Sequence, residues 1–268
     1  MANEFRIRQG VHNLTAADVD ALRGAYSQMM ALADRDNRSW FAFAGIHGDP
    51  DHKCWHYQHS DRFSPNLELF LPWHRAYLYN WEMAMRDRVP DVTLPWWDWT
   101  LGPPRQNGIP QIFGVAEVNG QANPLTGFRI NLPNTRPPLV HRTDREPGPS
   151  NELPTQSDVD DALARTDWND FTEALEDIHD NVHGWVSGDM GVVGQAAFDP
   201  IFWSHHAMID RLWWLWQARN GNGNISTDLL DEVLAPFNFR VRDVLSVNDL
   251  GYDYAAAQSV VPIAGGAS

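Results

Sequence analysis

Two histidines four residues apart, in the run His179-Asp180-Asn181-Val182-His183, project from one face of a helix about one turn apart, close enough to share a metal ion. Alone, such a pair is more often incidental than a site, because surface helices carry histidines freely. Here it is followed by Asp199-Pro200-Ile201-Phe202-Trp203-Ser204-His205-His206, a histidine doublet entering an apolar helix in which His206, Ile209, Asp210 and Trp213 share a face. A buried imidazole needs a polar partner, and a metal supplies one. Asp210, one turn after His206, is placed to orient an imidazole or a nearby polar group; a salt bridge near Arg211 is the plainer alternative. The N-terminal half offers His47, His52, His56, His59 and His74. Three imidazoles from each half make two three-coordinate sites. Ligation without thiolate suits Cu, Zn, Fe or Ni and leaves a position open for O2 or substrate. Spacing does not choose the metal.

Helices must position these side chains. Thr15, with Asp18 three residues on, opens a helix whose apolar spacing runs through Leu32. A second pattern spans about Pro72 to Arg86, with Tyr77, Leu78, Trp81 and Met85 near one face and His74 at its N-terminal end. Thr155 caps another, and two more cover about Trp168–Trp185 and Ser204–Arg219. His47 falls in a small-residue turn, Ala44-Gly45-Ile46-His47-Gly48. Ten of the eighteen prolines lie between Pro103 and Pro154, which predicts a mostly irregular stretch across the surface that shapes a pocket rim. The expected fold is mainly α: a central helical bundle holding the site, with long irregular loops and few short strands. It forms one domain over 1–268, with a core of about 6–254 and a flexible tail from 255.

Composition narrows the partners. A formal charge of −15 argues against nucleic acid and anionic membranes, since binding phosphates needs a positive surface. No run of about 20 apolar residues is present, and the first residues lack a basic-then-apolar leader, so the chain as given reads as cytoplasmic. Thirteen tryptophans, several close to histidines, offer rigid apolar walls or plain core packing. The single cysteine, Cys54, excludes an intramolecular disulfide.

Together and in this order, Leu71-Pro72-Trp73-His74-Arg75 with Glu82, Leu94-Pro95-Trp96-Trp97-Asp98-Trp99, His179 with His183, and Asp199 to His206 with Asp210 resemble the type-3 copper family of tyrosinases, catechol oxidases and haemocyanin functional units. The resemblance runs from near Arg8 to Tyr254. It implies two copper ions with O2 as co-substrate: CuB on His179, His183 and His206, and CuA on His47, His74 and either His56 or His59. His56 is favoured because Cys54-Trp55-His56 is similar to the Cys-x-His unit that some members join by a thioether; a free thiol is the alternative. The spacing from His56 to His74 is longer than is usual in the family. Arg8 and Gly251-Tyr252-Asp253-Tyr254 resemble the arginine and tyrosine motifs that tie the two ends of the core together.

The implied activity is oxidation of small phenols, chiefly o-diphenols and with o-aminophenols also in view, to quinones. Phe202 and nearby tryptophans would hold the ring. Glu176 resembles the water-holding glutamate that, in many members, shares its water with an asparagine beside a ligand of the second copper. Gly184, directly after His183, has no side chain for this, which predicts weaker monophenol hydroxylation; Asp180 is a further candidate acceptor or base. The short tail after Tyr254 leaves no room for the covering domain of many members, so the enzyme is open as made or another protein delivers copper. Competing readings are a zinc hydrolase using the His179/His183 pair and a haemocyanin-like oxygen carrier.

Overall fold

Residues 5–48, 67–102, 108–222 and 224–255 are described by a computed structural model. The helices of eight residues or more among them are α1 (Ala16–Met30), α2 (Trp40–His47), α3 (Phe70–Arg86), α4 (Gln156–Leu163), α5 (Trp168–Val186) and α6 (Pro200–Asn220). The strands are short: β1 (Arg6–Arg8), β2 (Glu117–Val118), β3 (Gln121–Ala122), β4 (Arg129–Leu132), β5 (Leu139–Arg142) and β6 (Tyr252–Tyr254). Helices α3, α5 and α6 pack on one another, and one cluster of buried apolar side chains runs from Val11 to Tyr254. No helix among the described residues is long and apolar enough to cross a membrane.

The helix starts follow from local chemistry. In α1 and α4 the hydroxyls of Thr15 and Thr155 accept from the backbone N–H of Asp18 and Asp158, whose carboxylates accept in return from the threonine N–H groups. The carboxylates of Asp167 and Asp199 accept from first-turn amides of α5 and α6. Pro200 opens α6 and Pro72 sits in the first turn of α3, positions where a missing N–H breaks no helical bond.

One expectation needs correction. The run Ala44–Gly48 is no turn: His47 is the last residue of α2, which Ser39 caps by accepting from the Ala42 amide at 3.0 Å. Trp40–His47 is nearly all apolar, with no polar face to create a period, so its helical character leaves no pattern to read. The proline-rich stretch is mostly irregular among its described residues, as expected, and also holds two short antiparallel hairpins, β2–β3 and β4–β5. Just beyond β5, Arg145 reaches both carboxylate oxygens of Asp199 at 2.5–3.0 Å, tying that stretch to the start of α6.

The two ends of the core meet as β1 and β6, paired in parallel with Arg8 opposite Tyr254. Arg8 is fully buried; its guanidinium donates to Glu82 at 2.8 and 3.2 Å, to Asp210 at 3.2 Å and to the Tyr254 hydroxyl at 2.9 Å. Asp210 also accepts from Arg75 Nε at 2.5 Å, Tyr252 at 2.8 Å and Tyr254 at 2.5 Å. Burial pushes the Asp210 carboxyl up, but Arg75 and Arg8 outweigh it and hold it below the ordinary carboxylate range. Of the two expectations for Asp210, an imidazole or a nearby polar group, the structure shows the second: it orients guanidiniums and phenols. Its contact with Arg75 pins α6 to α3 one residue from His74.

Candidate metal centre

His47, at the C-terminal end of α2, and His74, in the second turn of α3, face each other with ring centroids 5.6 Å apart. Helix α5 carries His179 and His183, and α6 carries His205 and His206. The rings of His74 and His206 stack at 4.4 Å, bringing the two halves together. His56, its alternative His59, and Cys54 lie outside the described residues.

Hydrogen bonds dictate which nitrogen of each ring carries the hydrogen. Nδ1 of His47 meets the Val193 carbonyl at 3.1 Å, Nδ1 of His74 the Phe70 carbonyl at 2.8 Å, and Nδ1 of His183 the Met190 carbonyl at 2.7 Å. Nδ1 of His179 meets the Asp180 carboxylate at 2.9 Å. Each partner only accepts, so each Nδ1 carries the hydrogen and each neutral ring presents an Nε2 lone pair. This is the usual way a protein orients a ligating histidine. Asp180 is thus an acceptor that orients His179, one of the two roles for which its place in the sequence made it a candidate.

Nε2 of His206 lies 3.3 Å from Nε2 of His179 and 3.2 Å from Nε2 of His183. Two of these three nitrogens present lone pairs toward the third, and a metal ion among them would take all three lone pairs at once. Ligand nitrogens about 2.0 Å from a metal at tetrahedral angles stand roughly 3.3 Å apart, so the arrangement fits an ion.

Distance alone also admits His205, since His179, His183, His205 and His206 offer donor atoms all within 4.8 Å of one another. Protonation separates it. The Trp99 indole N–H can only donate, and it does so to Nδ1 of His205 at 3.1 Å. A neutral His205 therefore carries its hydrogen on Nε2 and has no lone pair there for a metal.

A cavity of about 250 Å³ opens onto this cluster, lined by His47, His179, Asp180, His183, Gly184, Met190, Gly191 and Val193. Asp180 stands at its rim with the side chain 61% exposed. A Cβ added to Gly184 would meet nothing within 4 Å. Glu176 is buried on α5 and is not on this wall. Phe202, expected to hold substrate, is fully buried, with its ring 4.1 Å from His206 and 4.9 Å from His47; it braces the imidazoles from beneath. Among the described residues no tryptophan lines this cavity; Trp73 packs edge-on to His74 at 5.0 Å.

Residues 37–219 match the family model described as the common central domain of tyrosinase. The chain belongs to the tyrosinase family. It is 33% identical to the tyrosinase of Streptomyces antibioticus over 87% of this chain and 93% of that protein. It is 28% identical to unit G of the Helix pomatia haemocyanin beta-C chain, covering 92% of this chain and 65% of that unit. Among solved structures, an octopus haemocyanin functional unit superimposes with a TM-score of 0.75 at 26% identity, over 94% of this chain and 68% of that one. The Burkholderia thailandensis tyrosinase does so at 0.79 and 23%, over 95% and 74%, a likeness of fold. Tyrosinase-family membership makes this a type-3 dicopper protein whose activity is copper-dependent oxidation or oxygen binding.

In this tyrosinase-family chain, burial and the neighbouring imidazoles hold His205 and His206 well below the usual imidazole pKa, and burial lowers that of His183. The rings are neutral near pH 7, as ligands must be. Unfolded, they protonate below about pH 6.5. The unfolded state then binds more protons, so stability is full above that pH and is lost as the pH falls below it. Thermal unfolding of the metal-free protein should show a midpoint that drops between about pH 7.5 and 5; a flat profile would contradict neutral burial of these rings.

Proposed function

We propose that this chain is a dicopper polyphenol oxidase that uses O2 to convert o-diphenols to o-quinones, with His179, His183 and His206 holding one copper and His47, His74 and His56 the other. His59 is the reserve for His56. One observation carries the reading: the cavity reaches His47, His179 and His183 directly, so a small ring can approach ligands of both sites at once.

The copper pair, when bound, supplies O2 activation and accepts the two electrons that leave each diphenol. The chain's own residues do the rest. Carbonyls of Phe70, Met190 and Val193 and the Asp180 carboxylate hold four imidazoles in the Nδ1–H form. Met190 and Val193 supply an apolar wall to the cavity, and Phe202 fixes the rings beneath it. The Asp180 carboxylate, at the rim, is engaged by the His179 Nδ1–H and so serves to orient that ring.

Hydroxylating a monophenol requires removal of a proton with an ordinary pKa near 10, which calls for a base or a held water. Gly184 contributes no side chain, and Glu176 is off the wall, so catechol oxidation should exceed tyrosol hydroxylation by a wide margin. Gly184→Asn, entering open space, should raise tyrosol hydroxylation several-fold with little change in catechol turnover. Comparable turnover of the two phenols by the unaltered chain would sink the assignment.

The likeness to haemocyanin units supports a second reading, an oxygen carrier. Copper analysis, a near-ultraviolet band on oxygenation and a catechol assay separate the two. The band with quinone formation supports an oxidase, and the band without it a carrier. Zinc with peptide hydrolysis would overturn both.

A further inference from the structure

Leaving α5 at Val186, the chain reverses through Ser187 and Gly188, both at φ +55°, and runs back along the cavity as residues 189–193. This short run supplies two of the carbonyls that orient imidazoles: Met190 O takes the Nδ1–H of His183, and Val193 O takes that of His47. The first histidine is assigned to one copper and the second to the other. Four residues of backbone, 190–193, therefore set the aim of a ligand in each site. Met190, Gly191 and Val193 also line the cavity.

What holds this run in place is a buried acid. Asp189 is 2% exposed. Its Oδ2 accepts from the Asp144 backbone N–H at 2.9 Å, and its Oδ1 lies 2.8 Å from Nε2 of His141 on β5. The Asp189 amide donates in return to the Asp144 carbonyl at 3.3 Å. The approach is close enough that a Cβ at Gly188 would stand 2.5 Å from that carbonyl oxygen. No substrate-facing role explains Asp189, which does not line the cavity. A buried carboxyl is costly unless its partners are in place, so its position is defined by Asp144 and His141.

We propose that Asp189, braced by His141, is a positioning residue for both copper sites at once. It acts through the Met190 and Val193 carbonyls without touching metal or substrate. The proposal rests on the ligand assignment above. Its distinctive consequence is coupling: disturbing Asp189 weakens retention of both coppers in parallel, whereas loss of a ligand empties one site.

The test uses the full chain loaded with copper. Copper content per chain and the rate of copper loss to a chelator are compared for the unaltered protein, Asp189→Ala, Asp189→Asn and His141→Ala, well below each unfolding midpoint. Asp189→Ala should lose both coppers together, roughly 10-fold faster or more, on the scale seen when groups that orient ligands are removed. Asp189→Asn keeps an acceptor oxygen and should stay within a few-fold of the unaltered rate. His141→Ala, altering a partly exposed side chain, should fall between and serves if Asp189→Ala does not fold. Unchanged copper retention in both alanine variants, or loss of one copper only, would overturn the proposal. An unaltered chain that takes up no copper would instead overturn the ligand assignment.

Discussion

His206→Ala should leave the chain with one of its two coppers and lower catechol oxidation by about 10³-fold or more. Its Nε2 stands 3.2–3.3 Å from both partner nitrogens, so its loss breaks the three-nitrogen set. A metal ion supplies several kcal/mol of charge stabilisation, and each ~1.36 kcal/mol is a factor of ten in rate. His205→Gln is the matched comparison. The two residues are adjacent and equally buried, yet His205 gives its Nδ1 lone pair to Trp99. A glutamine can still accept from the indole, so this variant should retain both coppers. Copper stoichiometry decides the point: loss of metal from His205→Gln with retention in His206→Ala would reverse the assignment.

The second large effect lies away from the metals. Asp210→Ala should lower stability by about 3–5 kcal/mol, the range for removing one partner of a buried ion pair. Two guanidiniums, Arg8 and Arg75, and two phenols, Tyr252 and Tyr254, lose their common acceptor. At ~2–4 °C per kcal/mol for a domain of this size class, the unfolding midpoint should fall by roughly 6–20 °C. Asp210→Asn, which keeps one acceptor oxygen, should fall by less. Because the carboxyl is held below its ordinary range, its contribution is present above the unfolded carboxylate pKa and is lost as the pH drops through the folded value. Asp210→Ala should therefore narrow the stability difference between neutral and strongly acidic solution. A midpoint within 2 °C of the unaltered protein would show that Glu82 alone sustains the cluster.

Much of this was legible in the residues themselves. The threonine–aspartate boxes at Thr15 and Thr155 mark helix starts because the capping atoms are neighbours in sequence. The motif-bearing helices α3, α5 and α6 reveal themselves through spacing. Where sequence reading failed, the information was not local. Helix α2 has no polar face, so no period betrays it. The acceptors for His183 and His47 are backbone carbonyls, which carry no residue signature. Asp210 stands one turn from His206, but spacing cannot say that Arg75, 135 residues away, claims its carboxylate. For Phe202, substrate contact and plain packing are equally open in the sequence, because order along the chain cannot tell the floor of a pocket from the layer under it.

The pairing of β1 with β6 joins residues 246 positions apart, Arg8 and Tyr254. During synthesis at about 5–20 residues per second, the N-terminal strand waits some tens of seconds for its partner. Until Tyr252 and Tyr254 emerge, Arg8 has neither the strand nor the phenols that surround it in the finished protein. His74 and its neighbour Arg75 likewise await α6. Closure of the core around Arg8 thus waits on β6, and a ribosome-bound chain stalled before Tyr252 should hold a buried-type arginine without its phenol partners.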